Sequence, residues 1–386
     1  MERFFADFHI HVGRARNKPV KMAAARTLTV EAVLHEARVR KGLDVITLID
    51  GVCTNVLSEL DDLVRSDRLH QLPGGGYAYE NGLVVLLGGE IEVSGPVGGA
   101  AHFGCWFPTL SAAKDFHDWL GTVEKNPSLS SQRARTNAHT LQAETKSRGG
   151  LFIVHHAFTP HKGLYGNCVS SLAEMVDPNK ADALELGLSA DSHMADCLPE
   201  LADVTFLSNS DAHSLPKIAR EYNALMMEEA SFAEVELALH RQAGRRVTGN
   251  YGLHPKLGKY HRTRCAKCGN PVDELSGECS CGSSRRVMGV YDRLMEIRHT
   301  DCPLHPAHRP PYTYQVPLEF IPGLGPKALG KLLKQFGTEM AVLHQGEFAD
   351  ISAVVGEDLA RAIERARTGD VNFDEGGGGV YGKIVL

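Results

Sequence analysis

Short apolar segments alternate with helix-like segments over roughly the first 230 residues of the chain. Residues 28–41 form an amphipathic pattern, with Thr29 placed to cap the start of a helix and Gly42 just past its end. Parallel neighbouring strands need a crossover between them, usually a helix, so this alternation predicts a mainly parallel sheet in an α/β fold. At this length we expect a β/α barrel rather than an open sheet. The strand-type segments span residues 4–11, 43–49, 83–93, 101–107, 150–156, 183–187 and 204–213.

Side chains of the kinds that bind metal ions recur at the ends of these segments. A single carboxylate at the end of a strand would be unremarkable, but here the pattern repeats over at least five strands. Barrel enzymes of the β/α type build their active sites at the carboxyl ends of the strands. The sequence therefore predicts one shared site. The residues concerned are His9, His11, Asp50, Glu90, His102, His156, Asp211 and His213.

The first strand carries the densest group of these side chains. Asp7, His9 and His11 alternate along it, and residues two apart in a strand point to the same face. Burying two imidazoles and a carboxylate costs free energy unless a metal ion or hydrogen bonds compensate. Mixed imidazole and carboxylate ligands suit zinc, manganese or iron better than an ion that prefers an all-oxygen cage. We therefore expect this strand to lie at a metal site.

The composition is that of an ordinary soluble globular protein. The 386 residues suffice for two or three domains, and no apolar run is long enough to span a membrane. The first residues have no signal-peptide layout, so we expect a cytoplasmic location. The net charge of −6 does not indicate a nucleic-acid-binding protein, yet residues 245–267 contain seven Lys or Arg and no acidic residue. Such a run is often a solvated face or a linker, but it is also typical of a surface that contacts phosphates.

Four of the nine cysteines fall within residues 265–281, at the end of the basic run. They form two close pairs separated by a short loop, which is typical of a tetrahedral thiolate site for one structural zinc ion. In a reducing compartment, free or disulfide-bonded cysteines are the weaker interpretation. Cys302 or His305 is an alternative for one ligand position. The predicted ligands are Cys265, Cys268, Cys279 and Cys281.

Residues 320–337 resemble the helix-hairpin-helix of DNA repair proteins. Gly323 and Gly325 permit a tight hairpin, and Pro326 suits the first position of the following helix. The start of that helix would offer N–H groups and the positive end of the helix dipole to a DNA phosphate. The alternative is a Gly-Pro loop between two core helices. The expected DNA contacts are Gly323, Gly325, Lys327 and Lys331, joined by Arg262, Arg264 and Lys267 near the cysteines.

The early His-x-His pair, Glu90 and the late segment Ser-Asp-Ala-His at residues 210–213 resemble the PHP (polymerase and histidinol phosphatase) superfamily. The resemblance covers roughly the first 230 residues. It implies a distorted seven-stranded β/α barrel that holds two or three divalent ions (zinc, manganese, magnesium or iron) and hydrolyses phosphoesters. The implied ligands are His9, His11, Glu90 and Asp211 for one catalytic ion, Glu90, His102 and His156 for a second, and Asp50 with His213 for a third.

Two positions depart from this pattern or leave it open. Many members of the superfamily have a histidine where this chain has Asp50, so the third ion would have an unusual ligand here. His155 and His156 are adjacent, so in a strand only one of them faces the site, and we favour His156. Asp7 is expected to orient a ligand histidine.

A PHP barrel, a four-cysteine module and a helix-hairpin-helix in this order resemble the endonuclease Q family over almost the whole chain. The resemblance implies a DNA repair endonuclease that cuts on the 5′ side of a deaminated base (uracil, hypoxanthine or xanthine) or an abasic site. It implies damaged double-stranded DNA as partner, with replication or repair proteins as a further class, and no membrane. The expected division is 1–244 for the barrel, 245–312 for the basic segment and zinc module, and 313–386 for the helix-hairpin-helix region.

A base turned out of the duplex needs a stacking partner, and Phe103, Trp106 and Phe158 near the predicted ligands are candidates. Packing in the barrel core is at least as good an interpretation of these rings. Two other functions compete. A small-molecule phosphoesterase of the histidinol phosphatase kind explains the barrel but not the later motifs. The hypothesis of a non-catalytic DNA-binding protein does not explain why the set of predicted metal ligands is nearly complete.

Overall fold

The structure of the protein is a computed structural model that describes residues 1–272 and 278–385. The strands are β1 (Glu2–Ile10), β2 (Arg14–Ala15), β3 (Lys18–Pro19), β4 (Val45–Leu48), β5 (Leu69–Gln71), β6 (Tyr77–Tyr79), β7 (Val84–Ser94), β8 (Ala100–Phe107), β9 (Leu151–Val154), β10 (Ala183–Glu185), β11 (Phe206–Leu207), β12 (Tyr222–Met227), β13 (Arg246–Gly252), β14 (Arg264–Cys265), β15 (Arg286–Val287), β16 (Tyr312–Tyr314), β17 (Asn372–Asp374) and β18 (Lys383–Val385).

The α-helices are α1 (Val30–His35), α2 (Thr54–Arg65), α3 (Leu110–Val123), α4 (Ala138–Ser147), α5 (Ser192–Ala195), α6 (Phe232–Leu239), α7 (Val290–Ile297), α8 (Pro326–Phe336), α9 (Glu339–His344), α10 (Phe348–Val355) and α11 (Glu357–Thr368). Segments Glu36–Lys41 and Leu164–Cys168 are π-helical. Short 3-10 turns lie at Leu172–Glu174, Pro178–Lys180, Pro199–Leu201, Leu215–Lys217, Pro255–Leu257 and Leu318–Phe320. None of the helices in the described part of the chain is long and apolar enough to cross a membrane.

The predicted first helix is present and is capped as expected. The Thr29 side chain accepts a hydrogen bond from Ala32 N at the start of α1. The helix continues as the π-helical segment Glu36–Lys41 and stops at Gly42, whose φ is 85°. A Cβ at Gly42 would also come within 2.7 Å of the Cβ of Thr338, so this position requires glycine for two separate reasons.

The main sheet runs in the order β11-β10-β9-β8-β7-β4-β1-β12-β13-β16. β4 is parallel to both β1 and β7, and β9, β10 and β11 are parallel to their neighbours in that group. β8 and β12 are antiparallel to the strands on either side of them. The predicted α/β fold is confirmed, but the sheet is mixed rather than mainly parallel. The reason for β8 is local, because residues 95–99 join it to β7 by a tight turn instead of a helix.

The sheet curls into a half-barrel, so that the segment after its edge strand β11 lies beside the end of β1. Ala212, beyond the end of β11, donates its N–H to His9 O at 3.2 Å, and His11 N donates to Ala212 O at 3.2 Å. The side chain of Asn209 accepts a further hydrogen bond from Phe8 N at 3.1 Å. The ends of β1 and β11 therefore lie side by side although most of the barrel separates them in sequence.

Two buried apolar clusters stabilise the sheet. The smaller one includes Phe8 and Trp106, whose ring centroids are 5.1 Å apart, and it also contains Phe232 and Val235 of α6. The larger one joins the sheet to α1, α2, α3 and α4 and continues into the C-terminal helices. The barrel and the C-terminal region therefore share one continuous core.

The main sheet crosses both predicted domain boundaries, after residues 244 and 312. β13 pairs with β12, and β16 then pairs in parallel with β13. Asn250 of β13 is fully buried, and its amide donates to Phe206 O and to Asn223 Oδ1, both at 3.0 Å. The sequence pattern did not indicate β13 because the glycines and the asparagine within it are depleted in strands.

A buried ion pair fastens the C-terminal helices to the barrel. Lys41 Nζ lies 2.9 Å from Glu339 Oε2 of α9 and donates to Pro216 O at 2.9 Å. Lys41 is 3% exposed and Glu339 is 5% exposed. Because Pro216 lies in the same loop as Asp211 and His213, this contact ties the C-terminal region to the segment that carries two of the predicted metal ligands.

Candidate metal centre

The metal-type side chains gather at one edge of the curled sheet. The parallel strands bring their carboxyl ends to this edge. Antiparallel β8 brings its first half instead, which places His102 opposite Glu92 of β7. The predicted residues found at this edge are His9, His11, Asp50, Glu90, His102, His156, Asp211 and His213.

Two carboxylates contact the Nδ1 atoms of His9, in β1, and of His11, just after the end of β1. His9 Nδ1 lies 2.8 Å from Glu185 Oε2, and His11 Nδ1 lies 3.1 Å from Asp50 Oδ2. All four side chains are fully buried. An ionised carboxylate can only accept, so each contact places a proton on Nδ1 and points the Nε2 nitrogen of the ring toward the opposite side. This is the orientation that a histidine ligand needs when it binds an ion through Nε2.

The two Nε2 atoms face each other and two further carboxylates. They lie 3.3 Å apart, and His9 Nε2 is 3.3 Å from Glu90 Oε1. His11 Nε2 is 3.4 Å from Asp211 Oδ1. Although burial lowers the pKa of His9, Glu185 and Asp211 raise it well above its usual range, so this site strongly attracts positive charge. Lone pairs and negative charges at these distances repel unless a proton or a cation lies among them, and the donor set fits a divalent cation.

Glu90 belongs to a second group of ligand atoms as well. Its Oε1 lies 3.0 Å from His102 Nδ1 and 3.3 Å from His156 Nε2. His102 Nε2 faces Glu92 Oε2 at 3.4 Å, and Glu92 is paired with Lys162 at 2.7 Å. Glu90 would therefore serve as a ligand in both groups if each held an ion.

His213 lies in a third group, with His11 and Asp211. Asp50, which was expected to accompany His213, points elsewhere. Its Oδ2 accepts a hydrogen bond from Val12 N at 2.7 Å besides its contact with His11 Nδ1. The structure thus places Asp50 as a support for His11, and ligation by Asp50 stays a prediction.

Both adjacent histidines approach Glu90, His155 Nδ1 at 3.5 Å and His156 Nε2 at 3.3 Å. His155 also packs against His9, with ring centroids 4.1 Å apart and ring planes tilted by 35°, and forms a further close group with His9 and Glu185. Glu185 is absent from the residues predicted for the site. Its position at the carboxyl end of β10 is the same signal that marks Asp50 after β4, so the strand-end rule would have found it.

Contacts within the centre hold its carboxylates ionised. Burial by itself raises the pKa of Glu90, but His102 and Lys21 lower it well below its usual range. The pKa of Asp211 is also well below its usual range, because its contacts with histidines outweigh burial. Burial lowers the pKa of His213 to about 4. Ionised carboxylates and a neutral imidazole such as that of His213 are forms that bind metal ions, whereas an ion that binds His9 has to displace a proton from it.

Two residues that the sequence did not indicate complete the surroundings of Glu90. Lys21 Nζ donates to Glu90 Oε2 at 2.8 Å, and Ser131 Oγ donates to the same oxygen. Lys21 also donates to Ser131 Oγ. Both residues lie in loops, where no periodic pattern marks a functional side chain.

Asp211 and His156 both have left-handed backbone conformations, with φ of 47° and 26°. Such conformations cost about 1–3 kcal/mol in residues other than glycine and persist where the surroundings enforce them. Arg220 holds the loop of Asp211 by donating from Nε to Ser210 O at 2.7 Å. Asp7 accepts a hydrogen bond from Ser210 N at 3.1 Å, so it supports this loop rather than a histidine ring.

A cavity of about 430 Å³ opens from the metal centre. Some of its lining residues belong to the centre itself, and others are cationic or aromatic. The first group includes His156, Glu185, Asp211 and His213, and the second includes Lys217, Arg220, Lys259, Tyr260 and Tyr381.

No protein-family model matches the chain. The uncharacterized protein YqxK of Bacillus subtilis is 45% identical to it over 394 residues, which span 100% of both chains. The crystal structure of the lesion-specific endonuclease PfuEndoQ from Pyrococcus furiosus superimposes with a TM-score of 0.86 and 30% identity, over 100% of this chain and 96% of that one. The chain belongs to the endonuclease Q family. Endonuclease Q in complex with a 27-mer duplex substrate, with an abasic lesion at the active site, matches with a TM-score of 0.86 and 29% identity, over 100% of this chain and 97% of that one.

The cysteines of this endonuclease Q family member form a compact cluster at the β14–β15 hairpin. Cys265 Sγ lies 3.6 Å from Cys281 Sγ, and Cys268 Sγ lies 3.6 Å from Cys279 Sγ. Hydrogen bonds from the backbone N–H groups of Cys268 and Lys267 lower the pKa of the Cys265 thiol to about 6. Thiolates gathered in this way suit a tetrahedrally coordinated ion.

The glycine-rich hairpin of the chain precedes α8. Gly323 has a φ of 84°, and Gly325 caps α8, which begins at Pro326. Gly323, Gly325, Lys327 and Lys331 are exposed, whereas Leu329 and Leu332 are buried on the other side of the helix. DNA contact by this segment stays a prediction.

The other residues predicted to contact DNA are three aromatic rings, which are buried, and three basic residues near the cysteines, which are at least partly exposed. Phe103 and Trp106 have 0% exposure and Phe158 has 1%, so none of these rings offers a face to a base, and the structure favours core packing for all three.

Arg262 is exposed but paired with Asp292 at 3.0 Å. Arg264 donates to Gly269 O at 3.2 Å, and Lys267 is exposed.

Proposed function

We propose that the protein is a DNA repair endonuclease that hydrolyses the phosphodiester bond on the 5′ side of a deaminated base or an abasic site. Uracil, hypoxanthine and xanthine are the deaminated bases concerned. The observation that carries the proposal is the convergence of imidazole nitrogens and carboxylate oxygens around Glu90, at distances of 3.0 to 3.6 Å. PfuEndoQ, which is described as a lesion-specific endonuclease, supports the choice of substrate.

The residues of this centre would hold divalent ions, which would supply activation of a water molecule and neutralisation of the charge that develops on the phosphate. His9, His11, Glu90 and Asp211 would hold one ion, and Glu90, His102 and His156 a second. A third position is formed by His11, Asp211 and His213. The high share of histidine favours zinc, manganese or iron over magnesium.

The chain's own residues prepare the centre. Glu185 and Asp50 fix which nitrogens of His9 and His11 face the site. Lys21 and Ser131 hold the shared carboxylate in place. These contacts fix the orientation of the ligand side chains, which limits the rearrangement needed to bind ions and phosphate.

Contacts outside the barrel would position the duplex. The four cysteines would hold one structural zinc ion and present Lys267 and Arg264 beside it. The hairpin before α8 would act as a helix-hairpin-helix, with N–H groups and Lys327 directed at a phosphate. Such contacts carry no sequence information, which suits an enzyme that searches for lesions. A cytoplasmic location and partnership with replication or repair proteins stay predictions.

The test is a nicking assay on end-labelled duplexes that carry one uracil, one hypoxanthine, one abasic site or no lesion. The wild-type protein should cut the three damaged duplexes in the presence of Mn²⁺ or Zn²⁺, and Asp211→Asn should bind the same duplexes without cutting them. Histidinol phosphate serves as a control substrate for the competing function. Full nicking by Asp211→Asn would contradict the metal assignment, and hydrolysis of histidinol phosphate alone would contradict the substrate.

A further inference from the structure

Two exposed histidines that belong neither to the metal centre nor to the cysteine cluster face each other on the surface of the protein. His193 lies in α5, and His305 lies in the segment between α7 and β16. His193 Nδ1 and His305 Nε2 are 3.1 Å apart, and the planes of the two rings are tilted by 36°. The residues are 112 positions apart in the sequence, so only the fold brings their rings together. Imidazole is a common metal ligand, so this pair is a candidate metal site.

A buried ion pair orients one of these rings. Arg309 Nη2 lies 2.9 Å from Asp196 Oδ1, and both side chains are almost fully buried. The other oxygen of Asp196 lies 2.8 Å from His305 Nδ1. An ionised carboxylate can only accept, so Nδ1 of His305 carries the proton and Nε2 presents its lone pair to His193. A histidine ligand supported by a carboxylate in this way is already turned toward its ion.

Backbone contacts fix the position of both histidines. Leu304 N donates to Asp196 O at 3.1 Å. His299 N donates to Cys197 O at 3.3 Å, so the segment before His305 is bonded to the residues that follow α5. His305 itself has a left-handed backbone conformation, with φ of 27°. Residues other than glycine adopt this conformation rarely, and it persists where the surroundings enforce it. The two rings are therefore held together by the fold on both sides.

The separation of the two nitrogens fits ligation of one metal ion. At the usual Zn–N distance of about 2.0–2.1 Å, two nitrogens 3.1 Å apart subtend an angle of about 95–102° at the ion. This lies between the octahedral angle of about 90° and the tetrahedral angle of about 109°. Imidazole ligands suit zinc, copper or nickel, whereas magnesium and calcium prefer oxygen. Without an ion, one N–H···N hydrogen bond from His193 to His305 would account for the same separation.

The pair lies at the edge of a surface cleft of about 450 Å³ that Tyr312 and Tyr314 also line. The described residues that line this cleft include no Asp, Glu or Cys, so water or an external ligand would complete the coordination of an ion. We propose that His193 and His305 bind one divalent transition-metal ion of the zinc type. The ion would fasten the segment between α7 and β16 to α5. This inference is independent of the proposed function, because it concerns a site outside the metal centre.

The test counts the zinc ions bound by the full-length protein and by its His193→Gln and His305→Gln variants. Each protein is dialysed against a small excess of Zn²⁺, and its bound zinc is measured by elemental analysis. The wild-type protein should bind one equivalent more than either variant. His308→Gln is the matched control, because His308 is exposed in the same segment but its Nε2 contacts Ala202 O at 3.1 Å. This control should bind as much zinc as the wild type.

A second measurement identifies the ligand atoms in the wild-type protein itself. Cu²⁺ binds nitrogen ligands more tightly than Zn²⁺ does. One equivalent of the copper chelate Cu²⁺–nitrilotriacetate, added to the zinc-loaded protein, should therefore give an electron paramagnetic resonance spectrum with coupling to two imidazole nitrogens. Loss of a support behind a ligand typically costs about 10- to 100-fold in metal affinity, so loss of the ligand in His305→Gln should weaken binding of the chelate at least tenfold.

Two results would overturn the inference. Equal binding of zinc or of the copper chelate by the wild type and His305→Gln would leave the N–H···N hydrogen bond as the account of this pair. Loss of the same zinc equivalent in His308→Gln would show that binding depends on the fold of the segment rather than on these two rings. Neither measurement uses DNA, so failure of the proposed function would not change their outcome.

Discussion

Replacing Glu185 by Gln tests whether the metal centre depends on the carboxylates behind its histidines. Glu185 Oε2 lies 2.8 Å from His9 Nδ1, and both side chains are fully buried. Glutamine keeps the shape but removes the charge that holds the Nδ1 proton. Partners of this kind typically change metal affinity 10- to 100-fold, which corresponds to about 1.4–2.7 kcal/mol. We therefore expect one divalent ion to bind Glu185→Gln more weakly by this amount, with the number of bound ions unchanged.

The assay is calorimetric titration of the metal-free protein with Mn²⁺ or Zn²⁺, joined to nicking rates over the same range of metal concentration. Glu234→Gln is the control. Glu234 is also buried, but it lies on α6 and pairs with Arg245 at 2.9 Å, not with a histidine of the centre. Unchanged affinity in Glu185→Gln would refute the supporting role. Loss of one whole equivalent of metal would also refute it, because it would identify Glu185 as a ligand.

Three further changes probe the rest of the molecule. Lys41→Met removes the buried partner of the Glu339 carboxylate, which then keeps Arg40 Nε at 3.3 Å. We therefore expect the free energy of unfolding in urea to fall, but by less than the roughly 3–5 kcal/mol that is typical of a buried charge left wholly unpaired, with partial recovery when Glu339→Leu is added; no loss would contradict the buried pair. Burial raises the pKa of Glu221 to about 8, so its protonated form stabilises the protein fully below about pH 4.5, and this stability is lost as pH rises toward 8. Glu221→Gln should therefore raise the free energy of unfolding by roughly 3 kcal/mol at pH 7 and leave it unchanged near pH 4, whereas a gain at both pH values would point to another cause. Lys327→Glu should weaken binding to damaged and undamaged duplexes alike and reduce the salt dependence measured by fluorescence anisotropy, and a loss confined to damaged DNA would exclude a phosphate contact.

Much of the centre could be predicted because strand geometry translates sequence spacing into spatial proximity. His9 and His11 share a face through the period of a strand, and Asp50 and Asp211 follow the ends of β4 and β11. Parallel neighbours bring these ends to one edge of the sheet. The same logic located His102 only roughly, since its strand proved antiparallel and presents its first half to that edge.

Other features lay beyond the reach of sequence patterns. Lys21 and Ser131 reach Glu90 from loops, whose paths depend on tertiary contacts that no periodicity records. Trp106 and Phe158 lie near predicted ligands in the sequence but pack into the core. The sequence could not show this, because an aromatic residue fits the same hydrophobic pattern whether its ring faces a ligand or the protein core. The return of Tyr381 to the cavity likewise joins parts of the chain that sequence order keeps far apart.

The position of the cut is the most direct measurement of the central claim. A duplex with one uracil at a known position, labelled at either end of the damaged strand, is incubated with the protein and Mn²⁺, and its products are resolved at single-nucleotide spacing. The proposed function predicts a single break immediately 5′ of the uracil, with the base still attached to the downstream fragment. Release of free uracil, a cut on the 3′ side, or equal cutting of the undamaged duplex would contradict it.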